Sequence, residues 1–244
     1  MTYCVAMKVN SGMVFLSDSR TNAGVDHIAT FQKMYFFNQP GERVIVLMSA
    51  GNLATTQSII SLLNARAKED EHSMLTVKTL YEAAELVGET MREVVERDTK
   101  GQQTQGVDFS CSLLLGGQIR GEGMRLFNIY PQGNFIEASA DTPFFQIGES
   151  KYGKPILDRA LKMDTPLGEA LKSGLISFDS TMKSNLSVGL PLDMAVYKPD
   201  QFELHLHQRF LEDDAYLMAI RHQWSEGLKS LLASLPAPPY TNLG

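Results

Sequence analysis

Residues 2–18 read TYCVAMKVNSGMVFLSD, which is two β-rich apolar runs on either side of the turn signal Asn10-Ser11-Gly12. Two such runs around a short turn predict a β-hairpin that begins almost at the first residue. Most domains leave a few loose residues at this end of the chain. The sequence therefore predicts that the N-terminal residues are fixed inside a sheet, and this hairpin is the starting point of the fold.

Further strand and helix signals follow in groups along the chain. Residues 33–37 and 43–50 predict two strands, and Gly51-Asn52 opens a helix to about residue 68. Apolar residues then recur at helical spacing over 80–95, with Thr76 as the expected cap. The remaining predicted elements are strands at 109–115, 124–130, 135–138 and 144–147, helices at 152–163 and 167–183, a hairpin of 194–197 and 202–207, and a helix at 213–235.

The order of these elements favours one fold class. Strands come in groups and helices in pairs, so the single-helix alternation of a parallel doubly wound sheet is absent from the pattern. We predict an α+β fold, a four-layer αββα sandwich of two antiparallel sheets flanked by helical pairs. A polar loop is expected at 100–106, a single domain over 1–235, and a proline-rich tail at 236–244.

Composition and charge limit the classes of function. The chain of 244 residues has a net charge of −6, which argues against a nucleic-acid surface. No apolar run approaches the roughly 20 residues of a membrane helix, and no signal-peptide pattern opens the chain. A cytoplasmic protein without membrane contact or cofactor is expected. Cys4 and Cys111 lie in apolar alternating runs, so both are predicted to be reduced and buried.

Two histidines near the end of the chain offer a weak metal signal. His205 and His207 alternate on a predicted strand, which would place both rings on one face. A solvated strand face is the expected reading, because no third ligand lies at suitable spacing nearby. We therefore predict no metal site here, and a two-histidine site is the alternative.

Four segments in this order carry a resemblance to a known family. They are residues 1–6 (MTYCVA), 17–26 (SDSRTNAGVD), 147–154 (IGESKYGK) and 177–189 (SFDSTMKSNLSVG). Together they resemble the proteasome β-subunit superfamily of N-terminal nucleophile (Ntn) hydrolases, and most closely its bacterial branch called Anbu, for ancestral β-subunit. The resemblance covers nearly the whole chain, and it implies the Ntn-hydrolase fold and a threonine-type peptidase.

The resemblance implies a nucleophile at Thr2 once Met1 has been removed. The Thr2 hydroxyl would attack a carbonyl group, and the α-amine of the same residue would serve as general base, directly or through a water. An N-terminal amine has a pKa near roughly 7.7–8, so a useful fraction is neutral in the cell, unlike a lysine near about 10.4. No pro-segment is expected before Thr2, so an aminopeptidase would suffice for activation.

Four more residues match the family's site. Lys33 matches the lysine whose charge lowers the pKa of the threonine hydroxyl and amine, and Asp18 matches the acid that holds this lysine. Arg20 matches a supporting basic residue. Gly51, before a helix, matches the glycine whose N–H faces the developing oxyanion. Taken singly, Asp18 and Lys33 could be a surface ion pair and Gly51 a turn glycine.

The chain departs from the family pattern at two places. Many β-subunits carry Gly-Ser-Gly where this chain reads Gly148-Glu149-Ser150, and a later Asp-x-x-Ser-Gly-Gly motif is missing. Ser187, in Ser187-Val188-Gly189, lies in a stretch that resembles the two-tiered bacterial peptidase of the same superfamily. Glu149, Ser150 and Ser187 are therefore candidate supporting residues. Glu149 could stabilise the protonated Thr2 amine or pair with Lys151 at the surface.

Substrate and partners follow from the same resemblance. Ser49 and Leu53 flank Gly51 and would line the substrate pocket; both are uncharged, which favours a neutral or apolar residue at the cleaved bond. Self-association into a ring or an open spiral is expected, with the apolar last helix and the tail as contacts, and no ATPase partner is assigned. The alternative is an oligomeric peptide-binding scaffold with little turnover. Family genes often neighbour ATP-grasp ligase and transglutaminase-like genes, which links this alternative to modified-peptide biosynthesis.

Overall fold

The computed structural model describes residues 1–22, 28–69, 72–100 and 108–239. Most of the predicted loop at 100–106 and the last five residues of the predicted tail lie outside these ranges. The chain separates into two compact units, residues 1–212 and residues 213–244. Of the elements in the described ranges, the first unit holds all the strands and four helices, and the second holds one helix.

Twelve strands are present in the described part of the chain. They are β1 (Tyr3–Val9), β2 (Gly12–Asp18), β3 (Arg20–Asn22), β4 (Ile28–Thr30), β5 (Met34–Gln39), β6 (Arg43–Gly51), β7 (Cys111–Ile119), β8 (Arg125–Ile129), β9 (Phe135–Glu137), β10 (Phe144–Gly148), β11 (Leu192–Tyr197) and β12 (Leu206–Phe210). Five helices are described: α1 (Leu53–Glu69), α2 (Leu80–Thr99), α3 (Lys154–Ala160), α4 (Leu167–Ser184) and α5 (Ala215–Ser234).

Two five-stranded antiparallel sheets form the middle of the first unit. Sheet I has the strand order β10-β1-β2-β11-β12, and sheet II has the order β5-β6-β7-β8-β9. The predicted N-terminal hairpin is at the centre of sheet I, where Cys4 faces Ser17 and Val9 faces Gly12. The short pair β3–β4 forms a separate ribbon that the sequence pattern did not predict.

Apolar side chains hold the four layers together. The two sheets pack through an inter-sheet core that includes Ala6 and Phe15 of sheet I and Val46 and Leu114 of sheet II. A second core joins the outer face of sheet II to α1 and α2, while α4 packs on β1 and β2 of sheet I and α3 packs against α4. Burial of these surfaces supplies most of the favourable free energy of such a fold. The predicted αββα sandwich is confirmed.

Several local predictions are wrong in position. The cap of α2 is Thr79, whose hydroxyl accepts from the Glu82 N–H, while Thr76 bonds within the preceding turn to Ser73. The last strand of sheet I begins at Leu206 rather than at residue 202. The reason is a tertiary contact: Gln118, on sheet II, accepts a hydrogen bond from the Asp200 N–H and fixes a turn in which Asp200 has a φ of 61°.

Candidate active site

A buried ion pair lies at the end of the N-terminal hairpin. Asp18 is the last residue of β2, and Lys33 directly precedes β5. The Lys33 Nζ donates to Asp18 Oδ1 over 2.9 Å and to the Arg20 carbonyl over 2.6 Å. The side chains of Lys33 and Asp18 are 5% and 0% exposed. The alternative of a surface ion pair is therefore wrong.

Burial and hydrogen bonding act on Asp18 in opposite directions. Removal from water raises the pKa of the Asp18 carboxyl above its usual value, and the charge and hydrogen bond of Lys33 counteract this. The Tyr3 N–H also donates to Asp18 Oδ1, over 3.0 Å. Because two donors meet on the same oxygen, Asp18 must accept both bonds, which fits an ionised carboxylate beside a lysine ammonium.

Thr2 is held by the backbone on two sides. The Tyr3 nitrogen that Asp18 binds is bonded to the Thr2 carbonyl carbon, and the Thr2 carbonyl oxygen accepts the Glu149 N–H over 2.7 Å. Gly148 has a φ of 80°, and a Cβ at this position would collide with the Thr2 carbonyl. The structure thus brings Thr2, Asp18 and Lys33 together, although they are far apart in sequence.

The residue after Thr2 is anchored by its side chain. Tyr3 is fully buried, and its hydroxyl lies 3.0 Å from Ser177 Oγ of α4 and accepts from Gln146. Burial raises the pKa of Tyr3 to about 12, so the phenol stays neutral. The Phe178 ring lies 4.4 Å from the Tyr3 ring. These contacts fix the direction in which β1 presents its first residue.

Gly51 lies at the junction of β6 and α1. Its φ is 118°, and an added Cβ would lie 2.5 Å from the Ser110 carbonyl oxygen, so a side chain does not fit. Asn52 then caps α1, because its Oδ1 accepts the Thr55 N–H over 3.1 Å. The expected position of Gly51, at the end of a strand and the start of a helix, is observed.

The two predicted pocket residues lie on either side of this junction. The Ser49 N–H donates to the Lys33 carbonyl over 3.0 Å. Its own carbonyl accepts from the Cys4 thiol at 3.6 Å. Ser49 is therefore between Lys33 and the first strand, whereas Leu53 is the half-buried first residue of α1.

The predicted supporting residues have different surroundings. The Arg20 Nη1 donates to the Leu186 carbonyl over 3.3 Å, and its guanidinium lies against Gly189. Ser187 belongs to the same loop, and its N–H donates to Asn185 Oδ1 over 2.9 Å.

Ser150 is in a different place. It lines a cavity of about 300 Å³ together with Gln146, Lys154 and Asp158.

Glu149 is buried, with 7% of its surface exposed. Its Oε2 accepts from the Asn185 Nδ2 over 2.9 Å, so the alternative of a surface pair with Lys151 is wrong. The sequence analysis did not predict Asn185 as a site residue. The one sequence feature that points to it is its position directly after a helix, where its N–H donates to the Thr181 carbonyl at the end of α4. Asparagine is common at helix ends, so this signal does not distinguish a site residue.

Other groups considered in the sequence have no visible part in the site. Cys4 and Cys111 are unpaired and buried as predicted, and burial raises the pKa of both thiols, that of Cys111 to about 12.

The two histidines do not alternate on one strand, because His205 precedes β12. The His207 ring packs edge-on against Phe36, with 4.7 Å between the ring centroids. Within the described ranges, no group of three His, Cys, Asp or Glu side chains is arranged to hold a metal ion. None of the described helices has the length and apolar character to cross a membrane.

Comparisons with known proteins agree with this geometry. The family model described as proteasome subunit matches residues 2–196. The structure is similar to Anbu (ancestral β-subunit) from Yersinia bercovieri, at 60% identity and a TM-score of 0.92 over 99% of this chain and 100% of that chain. It is also similar to the helical assembly of the Anbu complex from Pseudomonas aeruginosa, at 57% identity and a TM-score of 0.94 over 98% and 100%. A proteasome subunit β from Haloquadratum walsbyi is 24% identical over 86% of this chain and 79% of that protein.

The four layers are those of the Ntn-hydrolase fold, and Thr2 lies beside the Lys33–Asp18 pair within it. The chain belongs to the proteasome subunit family, and within this family it is a bacterial protein of the Anbu type.

Proposed function

We propose that this chain is an N-terminal threonine amidohydrolase that cleaves peptides or peptide-like amides after Met1 has been removed. At the level of the family it is a proteasome-like peptidase. The observation that supports the finer proposal is the buried Asp18–Lys33 pair, whose carboxylate binds the Tyr3 N–H directly after Thr2. A lysine cation held at this place favours loss of a proton from the groups of Thr2.

The proposed reaction proceeds in two steps. The Thr2 hydroxyl oxygen attacks the substrate carbonyl carbon while its proton passes to the Thr2 α-amine, directly or through a water. The proton then goes to the leaving nitrogen, the amide C–N bond breaks, and an ester on Thr2 remains. Water attacks this ester with the amine again as base, which releases the acid and restores the hydroxyl. The Gly51 N–H, beside a helix start, would stabilise the oxyanion in both steps.

Substrate preference is part of the proposal. Ser49 is buried next to Lys33, and Leu53 opens α1 beside Gly51. Neither side chain is charged, so neither would pair with a charged group of the substrate. We expect cleavage next to neutral or apolar residues to be faster than cleavage next to charged ones.

The first test compares hydrolysis and covalent labelling in chains that begin at Thr2. We expect Thr2→Ala to abolish hydrolysis of short amide substrates and labelling by a peptidyl electrophile. Thr142→Ala, at an exposed threonine of the turn before β10, is the matched control and should retain both. Full hydrolysis by Thr2→Ala would contradict the proposal. Intact-mass measurement of the purified chain will show whether Met1 is removed.

A second candidate function is an oligomeric peptide-binding scaffold with weak or no turnover. The buried Glu149, at a place where the family often has serine, favours this reading because it changes the surroundings of Thr2. Tight peptide binding without labelling of Thr2 would support the scaffold over the enzyme.

Self-association is the last part of the proposal. The relative from Pseudomonas aeruginosa is described as a helical assembly, and we propose that this chain likewise forms a ring or an open spiral in the cytoplasm. Arg20, Ser150 and Ser187 remain proposed supporting residues of the site: Arg20 and Ser187 form hydrogen bonds to residues of the loop after α4, and Ser150 directly follows Glu149.

A further inference from the structure

Asn185 connects three segments next to Thr2. Its Nδ2 donates to Glu149 Oε2 over 2.9 Å and lies 3.9 Å from the Met1 Sδ. Its Oδ1 accepts the Ser187 N–H over 2.9 Å, and its own N–H closes α4. One amide thus fixes the Glu149 carboxylate and at the same time contacts the side chain of the residue that precedes Thr2.

Glu149 lies next to Thr2 just beyond the antiparallel pairing of β1 with β10. Tyr3 and Gly148 are the last pair of this ladder, and beyond it the Glu149 N–H donates to the Thr2 carbonyl over 2.7 Å. Gly148, with a φ of 80°, turns the chain between the ladder and Glu149. The Glu149 carboxylate therefore belongs to a residue whose backbone is hydrogen-bonded to the residue whose amine becomes free when Met1 leaves.

The Glu149 carboxylate has no cationic partner among the described residues that surround it. Its hydrogen-bond donor is Asn185, a neutral amide, although Glu149 is only 7% exposed. A buried carboxylate without a cation is costly, and such groups in proteins are usually paired. The Met1 side chain rests on the same amide, so removal of Met1 opens space beside the pair and creates a new ammonium group there.

We propose that Glu149 and Asn185 form a receptor for the α-ammonium group of Thr2, in which Glu149 pairs with the ammonium and Asn185 positions Glu149. This inference rests on the proposed function in one respect, the presence of a free Thr2 amine. Glu149 then acts on a reacting atom, and Asn185 is a positioning residue.

The receptor opposes the effect of Lys33 on the same amine. Among the described residues, the charged groups nearest Thr2 are Asp18 at the end of β2, Arg20 of β3, Lys33 directly before β5 and Glu149 directly after β10. Cys4 of β1 and Asp193 of β11 lie next to this group. Lys33 favours the neutral amine, and Glu149 favours the protonated one. Because the amine must be neutral to accept a proton, Glu149 should move the acidic limb of the pH–rate profile to higher pH.

The test measures the pKa of the Thr2 amine without relying on hydrolysis. Chains that begin at Thr2 are treated with a trace of an acylating reagent over a range of pH. Mass spectrometry of the N-terminal peptide gives the fraction of Thr2 amine that is acylated at each pH, and the dependence of this fraction on pH gives the pKa of the amine. We expect Glu149→Gln to lower the amine pKa by roughly one unit, because an opposite charge at close range is removed. Glu89→Gln, an exposed carboxylate of α2, is the matched control and should cause no shift.

Asn185 is tested through the same readout. Asn185→Ala should lower the amine pKa in the same direction by a smaller amount, and it should add nothing in the Glu149→Gln background, because it acts through Glu149. Asn185→Asp, which adds a carboxylate, should raise the amine pKa and serves as the informative variant if Glu149→Gln does not fold. Unshifted amine pKa values in these variants, or additive shifts in the double variant, would overturn the inference.

The two proposals fail in different ways. If Thr2→Ala retains hydrolysis, the proposed function is lost while the pKa shifts stand. If the shifts are missing while Thr2→Ala is inactive, the receptor is lost and the enzyme remains.

Discussion

At the scale of single residues, the main feature is a charged pair placed where water is excluded. Burial of Asp18 and Lys33 removes hydration from both charges, so each depends on the other and on the hydrogen bonds to Tyr3 and Arg20. Desolvation of the two charges offsets most of their attraction, so the pair as a whole adds little to stability, whereas loss of one partner is costly.

The first prediction concerns loss of the lysine. We expect Lys33→Met to abolish hydrolysis and to destabilise the fold by about 3–5 kcal/mol at neutral pH, because it leaves an uncompensated buried carboxylate. Lys154→Met removes a lysine from an exposed pair with Asp158 and should change stability by less than about 0.5 kcal/mol. Urea denaturation at one protein concentration measures the free energies of unfolding of the two variants.

The same variant has a characteristic pH dependence. Without Lys33, the pKa of Asp18 in the folded state should rise further above its unfolded value, so the folded state binds a proton more tightly. The variant should then regain stability as the pH falls through the raised folded pKa, and its deficit should be smaller at pH 5 than at pH 8. A deficit that is constant between these values would contradict this account.

The second prediction concerns the backbone beside Thr2. Gly148 and Gly41 have φ angles of 80° and 76°, but only at Gly148 would a Cβ meet another atom, the Thr2 carbonyl oxygen. Gly41→Ala therefore measures the strain of the left-handed conformation alone, about 1–2 kcal/mol. Gly148→Ala should destabilise by more and slow the labelling of Thr2 at least tenfold, because it displaces the Thr2 carbonyl. Thermal unfolding and labelling rates test this, and equal effects of the two variants would count against it.

At the scale of elements, the ends of helices and strands position the site. Gly51 and Asn52 turn β6 into α1 within two residues, and the end of α4 delivers Asn185 to Glu149. The start of α2 is held by a side chain from elsewhere, because Glu122 Oε1 accepts the Leu80 N–H over 2.6 Å. Orphan N–H groups at this helix start are thus satisfied both locally and through the tertiary fold.

The third prediction tests the local part of this arrangement. Thr79→Ala removes the hydroxyl that accepts the Glu82 N–H and should destabilise the protein by about 1 kcal/mol. Thr79→Ser keeps a cap oxygen and should retain most of the stability. Chemical denaturation of the two variants provides the comparison, and equal loss in both would show that the methyl group rather than the cap is important.

At the scale of the whole molecule, the core of the first unit and the helix of the second have different surroundings. In the first unit, apolar faces are buried between the sheets and under α1 to α4. On α5, Leu228, Leu231 and Leu232 recur along one side, and 46%, 59% and 72% of their surfaces are exposed. A row of exposed leucines on one helix is typical of a surface that contacts another chain.

The fourth prediction follows from this helix. We expect Leu231→Glu to lower the molar mass measured by light scattering at micromolar concentration, with little change in the stability of the first unit. Ala233→Glu adds the same charge at a position 200° around the helix, by the spacing of about 100° per residue, and should leave the mass unchanged. Equal masses of Leu231→Glu and the unsubstituted chain would argue against α5 as a contact.

The sequence by itself determined the layers and indicated the candidate site residues. Alternation over 2–18 and helical spacing over 80–95 predict sheet and helix because each element shows its own period. Thr2, Asp18, Lys33 and Gly51 were identified from the resemblance of flanking segments, and all four lie at strand ends or junctions, as expected.

Only the tertiary structure decided the surroundings of Thr2. Asn185, the collision at Gly148 and the burial of Glu149 depend on segments more than a hundred residues from Thr2, and such contacts leave no period in the sequence. The late start of β12 depends in the same way on Gln118. Local propensity sets which residues can form an element, but packing between distant elements sets which polar groups lose water and therefore need a partner.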